Sequence, residues 1–260
     1  MLTREQKITL VERSSHEGLG EDRGGEVILS EHWVQTIVPG VRSFVANRVY
    51  RSVLDADEVD ARIAATVAMY QARGLPLQWL VGPGARPLDL GERLLATGFR
   101  LATTAAGLFA RLEEIRPGLG QDVTVEATDE RTLGDWVTIQ AAGWHMPLTQ
   151  AERLRAQSLR RLRSARERTL YAVGRIAGAP AGAASVDLHD GFAYLRNLVV
   201  LPEHRRKGVL RALLADLLVR LKARDMPYIT AHAIEDTSAP ILEAMGFERV
   251  CEIRYYDKSA

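Results

Sequence analysis

The chain has 260 residues, enough for one large domain or two ordinary ones, and its 47% hydrophobic and 26% charged content is typical of a globular protein. Its formal net charge is +1, so the composition gives no reason to expect nucleic acid as a partner, and any basic site must be local. The single cysteine excludes an intrachain disulfide, and no apolar segment resembles a signal peptide or a membrane span. We therefore expect a cytoplasmic protein with no membrane partner.

The first half of the chain begins with a polar segment and continues as alternating strands and helices. Residues 1–30 are predicted to be a mobile or weakly helical polar arm, because they are rich in charge, serine and glycine. Capping residues and an apolar stripe predict a helix from Asp55 to Arg73. The other predicted elements are two short strands within 33–45, a strand over 77–81, a helix over 88–97 and one strand or a hairpin over 100–112.

A segment rich in proline, glycine and charge, residues 113–122, predicts a domain boundary. We expect one domain over 31–115 and a second over 122–260. The elements predicted for the second domain are strands over 123–127, 169–173, 181–188, 192–201, 228–233 and 247–256, and helices over 129–139, from about 149, after 208 and over 238–245.

The predicted helix from about residue 149 is rich in arginine. Its arginines and those just beyond it are Arg153, Arg155, Arg160, Arg161, Arg163, Arg166 and Arg168. They indicate either a surface for an acidic partner or a solvated helix face, and the balanced total charge favours the second interpretation.

The most distinctive stretch is a strand, Tyr194 to Leu201, followed by a basic turn, Glu203 to Gly208, and a leucine-rich helix. The first N–H groups of a helix have no intrahelical partner, and the helix dipole is positive there. Gly208 lets a ligand approach the backbone, and Arg205, Arg206 and Lys207 add positive charge. The turn is therefore predicted to hold a pyrophosphate.

Two segments share a pattern of helix end, glycine and aromatic residue. Leu94 to Phe99 matches Leu242 to Phe247, and each segment is preceded and followed by a strand. This order suggests a diverged internal repeat.

Residues 123–258 resemble the GNAT superfamily of acyl-CoA-dependent N-acyltransferases. In that family a central strand ends in Val-x-Pro, and a turn Arg/Gln-x-x-Gly-x-Gly/Ala follows. Val200-Leu201-Pro202 and Arg205 to Leu210 occupy those places here, with Leu210 where a small residue is usual. The first half resembles the degenerate partner domain of tandem-GNAT proteins.

The resemblance implies an α/β (α+β) fold of two GNAT-like domains, each a mixed, mostly antiparallel sheet flanked by helices. It implies acetyl-CoA or another acyl-CoA as the co-substrate of the second domain, and no cofactor in the first. The implied cofactor-binding residues are Leu198, Val199 and Val200 beside pantetheine, and Arg205, Arg206, Lys207, Gly208, Val209 and Leu210 at the pyrophosphate.

The resemblance leaves the groups that transfer protons open. Leu242 stands where the family often has a tyrosine proposed as the general acid, and the central strand offers Arg196 and Asn197 instead of a carboxylate. Asn197 can orient a water or the acceptor. The candidate bases are His145, His232, Glu235 and Asp236, of which His232 lies on the next strand; a structural role for His232 is the alternative. Trp144 and His145 are candidate acceptor contacts, or residues that pack their loop.

We therefore expect direct transfer of an acetyl or other acyl group from acyl-CoA to a small-molecule primary amine, by a monomer or homodimer. The alternatives are a CoA-binding module without catalysis and another reaction of acyl-CoA, such as hydrolysis or decarboxylation. Six histidines and one cysteine show no zinc-ligand spacing, so no metal site is expected.

Overall fold

The computed structural model describes residues 1–17, 25–118, 122–164 and 168–260. The chain forms two compact units. Unit 1 comprises Met1–Leu108, His232–Ile241 and Arg249–Ala260, and unit 2 comprises Phe109–Ala231 and Leu242–Glu248. Among the described residues, no helix has both the length and the apolar character needed to span a bilayer.

The described helices are α1 (Arg4–Ser14), α2 (Val59–Gln71), α3 (Leu90–Ala96), α4 (Leu133–Gly143), α5 (Leu148–Arg163), α6 (Val209–Lys222) and α7 (Ser238–Glu243). The described strands are β1 (Glu26–Leu29), β2 (Trp33–Ile37), β3 (Arg48–Ser52), β4 (Leu77–Val81), β5 (Arg100–Arg111), β6 (Val123–Ala127), β7 (Thr169–Ile176), β8 (Ala179–His189), β9 (Phe192–Val200), β10 (Tyr228–Ile234) and β11 (Glu248–Lys258). The mixed α/β fold with helices against a sheet confirms the predicted fold class.

In unit 1 the strands lie in the order β1-β2-β3-β4-β11-β5. Successive residues of a strand point to opposite faces. Val49 and Trp79 accordingly belong to a buried cluster with α2 and α3, whereas their neighbours Tyr50 and Leu80 belong to a separate buried cluster. The core of unit 1 therefore has two parts, one for each face of its strands.

The two units differ from the predicted domains, 31–115 and 122–260, because the last strand, predicted for the second domain, pairs within unit 1. Strand β11 runs antiparallel to β4, with Tyr255 opposite Leu80 and Tyr256 opposite Trp79. Part of the predicted boundary, residues 119–121, lies outside the described residues. In the predicted polar arm, residues 4–14 form α1, which begins with a capping box between Thr3 and Gln6, and residues 18–24 are not described.

In unit 2 the strands lie in the order β10-β9-β8-β7-β6. Helices α4 and α5 cover one face, in a cluster that includes Val173 of β7. The neighbouring Gly174 faces α6 on the other side, where a Cβ at Gly174 would lie 3.3 Å from Val209 Cγ1. Gly182 of β8 approaches the same atom even more closely. Small residues in β7 and β8 therefore allow the first turn of α6 to lie directly on the sheet.

The two segments proposed as a repeat end in the same way. Gly98 and Gly246 both have positive φ, +84° and +107°. The N–H of Phe99 donates to Leu94 O, and that of Phe247 donates to Leu242 O. This is the hydrogen-bond pattern of a Schellman C-cap, in which glycine adopts the left-handed conformation at no steric cost.

Candidate functional site

Strand β9 contains a bulge at Asn197. Ala183 of β8 lies opposite Val199 and Ser185 lies opposite Arg196, so β9 has one residue more than β8 between these two pairs. Asn197 takes φ = +52°, and its Nδ2 donates to Ser185 Oγ at 3.3 Å. A bulge twists a strand and redirects the backbone groups that follow it.

On the edge of β9 that faces β10, strand pairing stops at the level of the bulge. Parallel pairing with β10 joins Ala193 to Ile229, Tyr194 to Thr230 and Leu195 to Ala231, and no described pair extends it. The next part of β9, residues 196–200, therefore presents backbone N–H and C=O groups on this edge. Such an edge suits an extended ligand that pairs like an added strand. Leu198, Val199 and Val200, the predicted pantetheine contacts, lie in this segment.

The basic turn after β9 has the geometry of an anion site. Pro202–His204 form one turn of 3-10 helix, and Arg206 and Gly208 then take left-handed φ values of +61° and +81°. Gly208 is the N-cap of α6 and supplies no side-chain cap, and the N–H of Ala212 donates to Gly208 O.

The N–H groups of Val209, Leu210 and Arg211 lie in the first turn of this 14-residue helix, before its first hydrogen bond. They therefore have no acceptor within the helix. The side chains of Arg205, Arg206 and Lys207 are exposed and form no ion pair with the described residues. The sequence prediction that Arg205 to Leu210 form one basic turn at a helix start therefore agrees with the local geometry, and this turn is where the described residues of unit 2 could hold a pyrophosphate.

A buried glutamine joins the bulge to the loop predicted to contact the acceptor. Gln140 of α4 is fully buried, and its Nε2 donates to Asn197 O at 2.5 Å and to Ala183 O at 3.3 Å. Its Oε1 accepts from Trp144 Nε1 at 3.1 Å. Trp144 is 46% exposed, so the indole presents a surface while its N–H is held. The structure thus brings Asn197 and Trp144 together through Gln140, a residue that sequence analysis missed.

Gly143 brings the same loop against β9. A Cβ at this position would overlap with the side chain of Val199. The next residues follow directly, with Trp144 as the C-cap of α4 and His145 at φ = +50°. His145 is exposed, and the loop therefore sets Trp144 and His145 beside the bulged strand.

Strands β8 and β9 carry a single carboxylate, Asp187, and it is held by cations. Its oxygens lie 2.9 Å from Arg196 and 3.3 Å from Arg161, and Thr169 Oγ1 donates to it at 2.9 Å. Burial opposes ionisation, but these partners lower the pKa of Asp187 below its ordinary value. Asp187 is therefore a weak proton acceptor, suited to fixing the positions of Arg196 and Arg161.

His232 lies in unit 1, and both of its ring nitrogens are bonded. Nε2 lies 3.0 Å from Val11 O and Nδ1 lies 2.8 Å from Tyr255 Oη. A carbonyl only accepts, so Nε2 donates to Val11 and Nδ1 accepts from the tyrosine. Burial, the largest effect, lowers the pKa of His232 to about 4. This arrangement favours the structural alternative for His232. Glu235, another candidate base, forms an ion pair with Arg249 at 2.6 Å.

Residues 144–258 match the profile of the acetyltransferase (GNAT) domain. No curated protein matches the chain in sequence. Solved structures share its fold at low identity. A GCN5-related N-acetyltransferase from Kribbella flavida has a TM-score of 0.71 and 15% identity, with 96% of this chain and 95% of that chain covered. A functionally unknown protein from Staphylococcus epidermidis has a TM-score of 0.73 and 12% identity, with 90% and 94% covered.

A tandem GNAT protein from the clavulanic acid biosynthesis pathway has a TM-score of 0.61 and 15% identity, with 87% of this chain and 78% of that chain covered. At these identities the likeness concerns the fold. Together with the domain match, it confirms the resemblance predicted from the sequence: residues 144–258 carry an acetyltransferase (GNAT) domain, and the chain shares its fold with GNAT proteins.

Proposed function

We propose that the protein is an N-acyltransferase that moves an acetyl or other acyl group directly from acyl-CoA to a primary amine. The observation that carries this proposal is the continuous path from the open edge of β9 to the basic turn. An extended pantetheine arm pairs with the edge at residues 198–200, and its pyrophosphate meets the N–H groups and cations of residues 205–210. Acyl-CoA supplies the thioester whose carbonyl carbon is attacked.

In this reaction the amine nitrogen forms a bond to the acyl carbon, the carbon–sulfur bond breaks, and the nitrogen loses a proton. We assign polarisation of the thioester carbonyl to the backbone N–H groups that follow the bulge at Asn197. The sulfur leaves as thiolate, whose conjugate acid has a pKa of about 8.5, so its departure needs little acid assistance. A leaving group of this kind is compatible with Leu242 in place of a tyrosine.

We propose that Trp144 and His145 contact the amine, and that Asn197 orients the backbone around the acyl group. Trp144 supports this role because its ring is exposed while its N–H is bonded to Gln140. His145 follows Trp144 directly and is exposed. Its imidazole can accept the proton that the amine nitrogen loses, directly or through water. The tandem arrangement, with a degenerate GNAT-like domain in the first half of the chain, is part of the same proposal.

The test of cofactor binding uses three left-handed glycines. Gly208→Glu places a carboxylate at the proposed pyrophosphate position and should abolish binding of CoA and acetyl-CoA in calorimetry. Gly178 and Gly191 also have φ = +81° and have open space around them, so Gly178→Glu and Gly191→Glu carry the same backbone strain elsewhere. Equal binding by Gly208→Glu and the two controls would refute the site.

The test of catalysis is thiol release from acetyl-CoA across a panel of primary amines. Release that depends on an amine, with the acylated amine seen by mass spectrometry, is the expected result. A specific observation favours one alternative, a CoA-binding module without catalysis: the single carboxylate of β8 and β9 is held by two arginines. CoA binding without release by any amine would support that module, and release without an amine would indicate hydrolysis.

A further inference from the structure

The bulge in β9 places Arg196 on the face of the sheet that α4 and α5 cover. Paired residues of antiparallel strands point to the same face, and so do residues two apart in one strand. Val199 pairs with Ala183 of β8, and both belong to the buried cluster that includes α4 and α5. Arg196 pairs with Ser185, two residues further along β8. Arg196 therefore shares a face with Val199, whereas residues three apart in a regular strand point to opposite faces.

The proposed function puts the amine acceptor on this same face. Its proposed contacts, Trp144 and His145, directly follow α4, and Gly143 at that end of the helix packs against Val199. The level of Arg196 in the sheet lies two residues of β8 from the level of Val199, which is about 7 Å. An acceptor whose amine lies beside the bulge is therefore within reach of the Arg196 side chain.

Arg196 belongs to a group of three charged side chains in which positive charge exceeds negative charge. Arg196 and Arg161 of α5 both form ion pairs with Asp187, at 2.9 and 3.3 Å. The lowered pKa of Asp187 keeps its carboxyl group ionised at neutral pH. Two cations therefore share one anion, and the three side chains together carry a net charge of +1. Arg161 is thus a member of the arginine-rich helix that turns toward the sheet, with only 10% of its side chain exposed.

Within this group Arg196 is the side chain most open to a ligand, with 23% exposed against 14% for Asp187. A ligand carboxylate on Arg196 balances the charges, because two cations then face two anions in a site largely shielded from water. A neutral group leaves the net charge as it is, and a second ammonium group is repelled. We infer that the acceptor of the proposed acyl transfer, on which this inference rests, is a primary amine that also carries a carboxylate, and that Arg196 binds this carboxylate.

The test compares matched amines by calorimetry on the full chain saturated with CoA. Glycine, L-alanine, β-alanine, 4-aminobutanoate and 6-aminohexanoate are each compared with the corresponding amide, which keeps the amine and replaces the carboxylate with a neutral group. At least one amino carboxylate should bind about tenfold or more tightly than its amide, and with acetyl-CoA its kcat/KM for thiol release should be higher by a similar factor. Absence of binding at millimolar concentration, or amides that all bind as tightly as the carboxylates, would overturn the inference without any variant being made.

Variants locate the contact with the carboxylate. Arg196→Gln removes the cation and leaves Asp187 with Arg161 and Thr169 as partners. It should reduce the preference for the carboxylate to below about twofold, whereas Arg196→Lys, which keeps the charge, should retain a preference. Arg155→Gln, at an exposed position of α5, is the control and should show the preference of the parent. Circular dichroism and thermal unfolding show that each variant is folded, and a preference that survives Arg196→Gln would contradict the assigned contact.

This inference and the proposed function fail in different ways. Amine-dependent thiol release without any preference for a carboxylate would support acyl transfer and contradict recognition by Arg196. Binding of an amino carboxylate that Arg196→Gln abolishes, without thiol release from acetyl-CoA, would support the contact with Arg196 and contradict acyl transfer.

Discussion

The buried glutamine between Trp144 and the bulge of β9 allows a quantitative test of the candidate site. Gln140→Met keeps a side chain of similar length and removes the side-chain hydrogen bonds of Gln140 to Asn197, Ala183 and Trp144. The carbonyl of Asn197 loses the 2.5 Å bond, the carbonyl of Ala183 loses a longer one at 3.3 Å, and Trp144 Nε1 can turn to water because the ring is 46% exposed. An unsatisfied buried acceptor costs about 1–3 kcal/mol.

Ala183 remains paired with Val199 in the sheet, so we expect Gln140→Met to lower the free energy of unfolding by about 1–3 kcal/mol, nearly all of it from the Asn197 carbonyl. Urea denaturation measures this change. Gln71→Met, at an exposed position of α2, is the matched control and should change stability by less than about 0.5 kcal/mol.

Fluorescence gives a local measurement of the same variant. Of the four tryptophans, Trp33, Trp79 and Trp136 are at most 8% exposed, so acrylamide quenching reports mainly Trp144. Release of the indole should increase its quenching and lower its anisotropy in Gln140→Met but not in Gln71→Met. If Gln140→Met keeps both the parent's stability and its quenching, the hydrogen bonds of Gln140 do not hold the loop, and the reasoning is refuted.

Two further predictions concern close packing and pH. Gly143→Ala should lower the free energy of unfolding by about 1–3 kcal/mol, because the added Cβ overlaps with Val199. Gly134→Ala, in open space on the same helix, should leave it unchanged or raise it by about 0.5–1 kcal/mol. If urea denaturation gives the opposite order, the packing of Gly143 against Val199 is contradicted. The pKa of His232 falls from 6.5 in the unfolded chain to about 4 in the folded one, so the unfolded chain binds the proton first and stability falls as pH drops from 6.5 to 4. Between pH 7 and 5 the parent should lose about 2 kcal/mol more than His232→Gln, and parallel pH profiles of the two would contradict the assigned shift.

The sequence predicted the segment from β9 to α6 well because its signals are local. Pro202 ends a strand, Gly208 permits a left-handed residue, and leucines repeat along one face of the helix. Each of these signals acts within a few residues of the structure that it determines. The fold class and the GNAT resemblance followed from the order of such local elements.

The features that the sequence did not predict depend on residues far apart in the chain. Tyr255 pairs with Leu80, and the ring of His232 is bonded to Val11 O across 221 positions. A polar residue such as Gln140 on a helix is usually solvated, and only its packing against β8 and β9 shows that it is buried. The bulge at Asn197 also needs the register of the neighbouring strand, which no property of β9 alone determines.

The two units differ in the charge that follows a pair of diverging parallel strands. In each unit a pair of parallel strands diverges, β3 from β4 and β9 from β10. After β9 the turn carries three cations and Gly208 before α6, whereas after β3 the segment before α2 carries Asp55, Asp57 and Glu58. Carboxylates at a helix start already satisfy its positive dipole, and they repel a pyrophosphate. In unit 1 the Glu12 carboxylate also lies beside the end of β4, where it accepts a hydrogen bond from the Gly84 N–H. The same strand arrangement therefore carries a cationic turn in unit 2 and a carboxylate-rich segment in unit 1, and only the first of these suits a pyrophosphate.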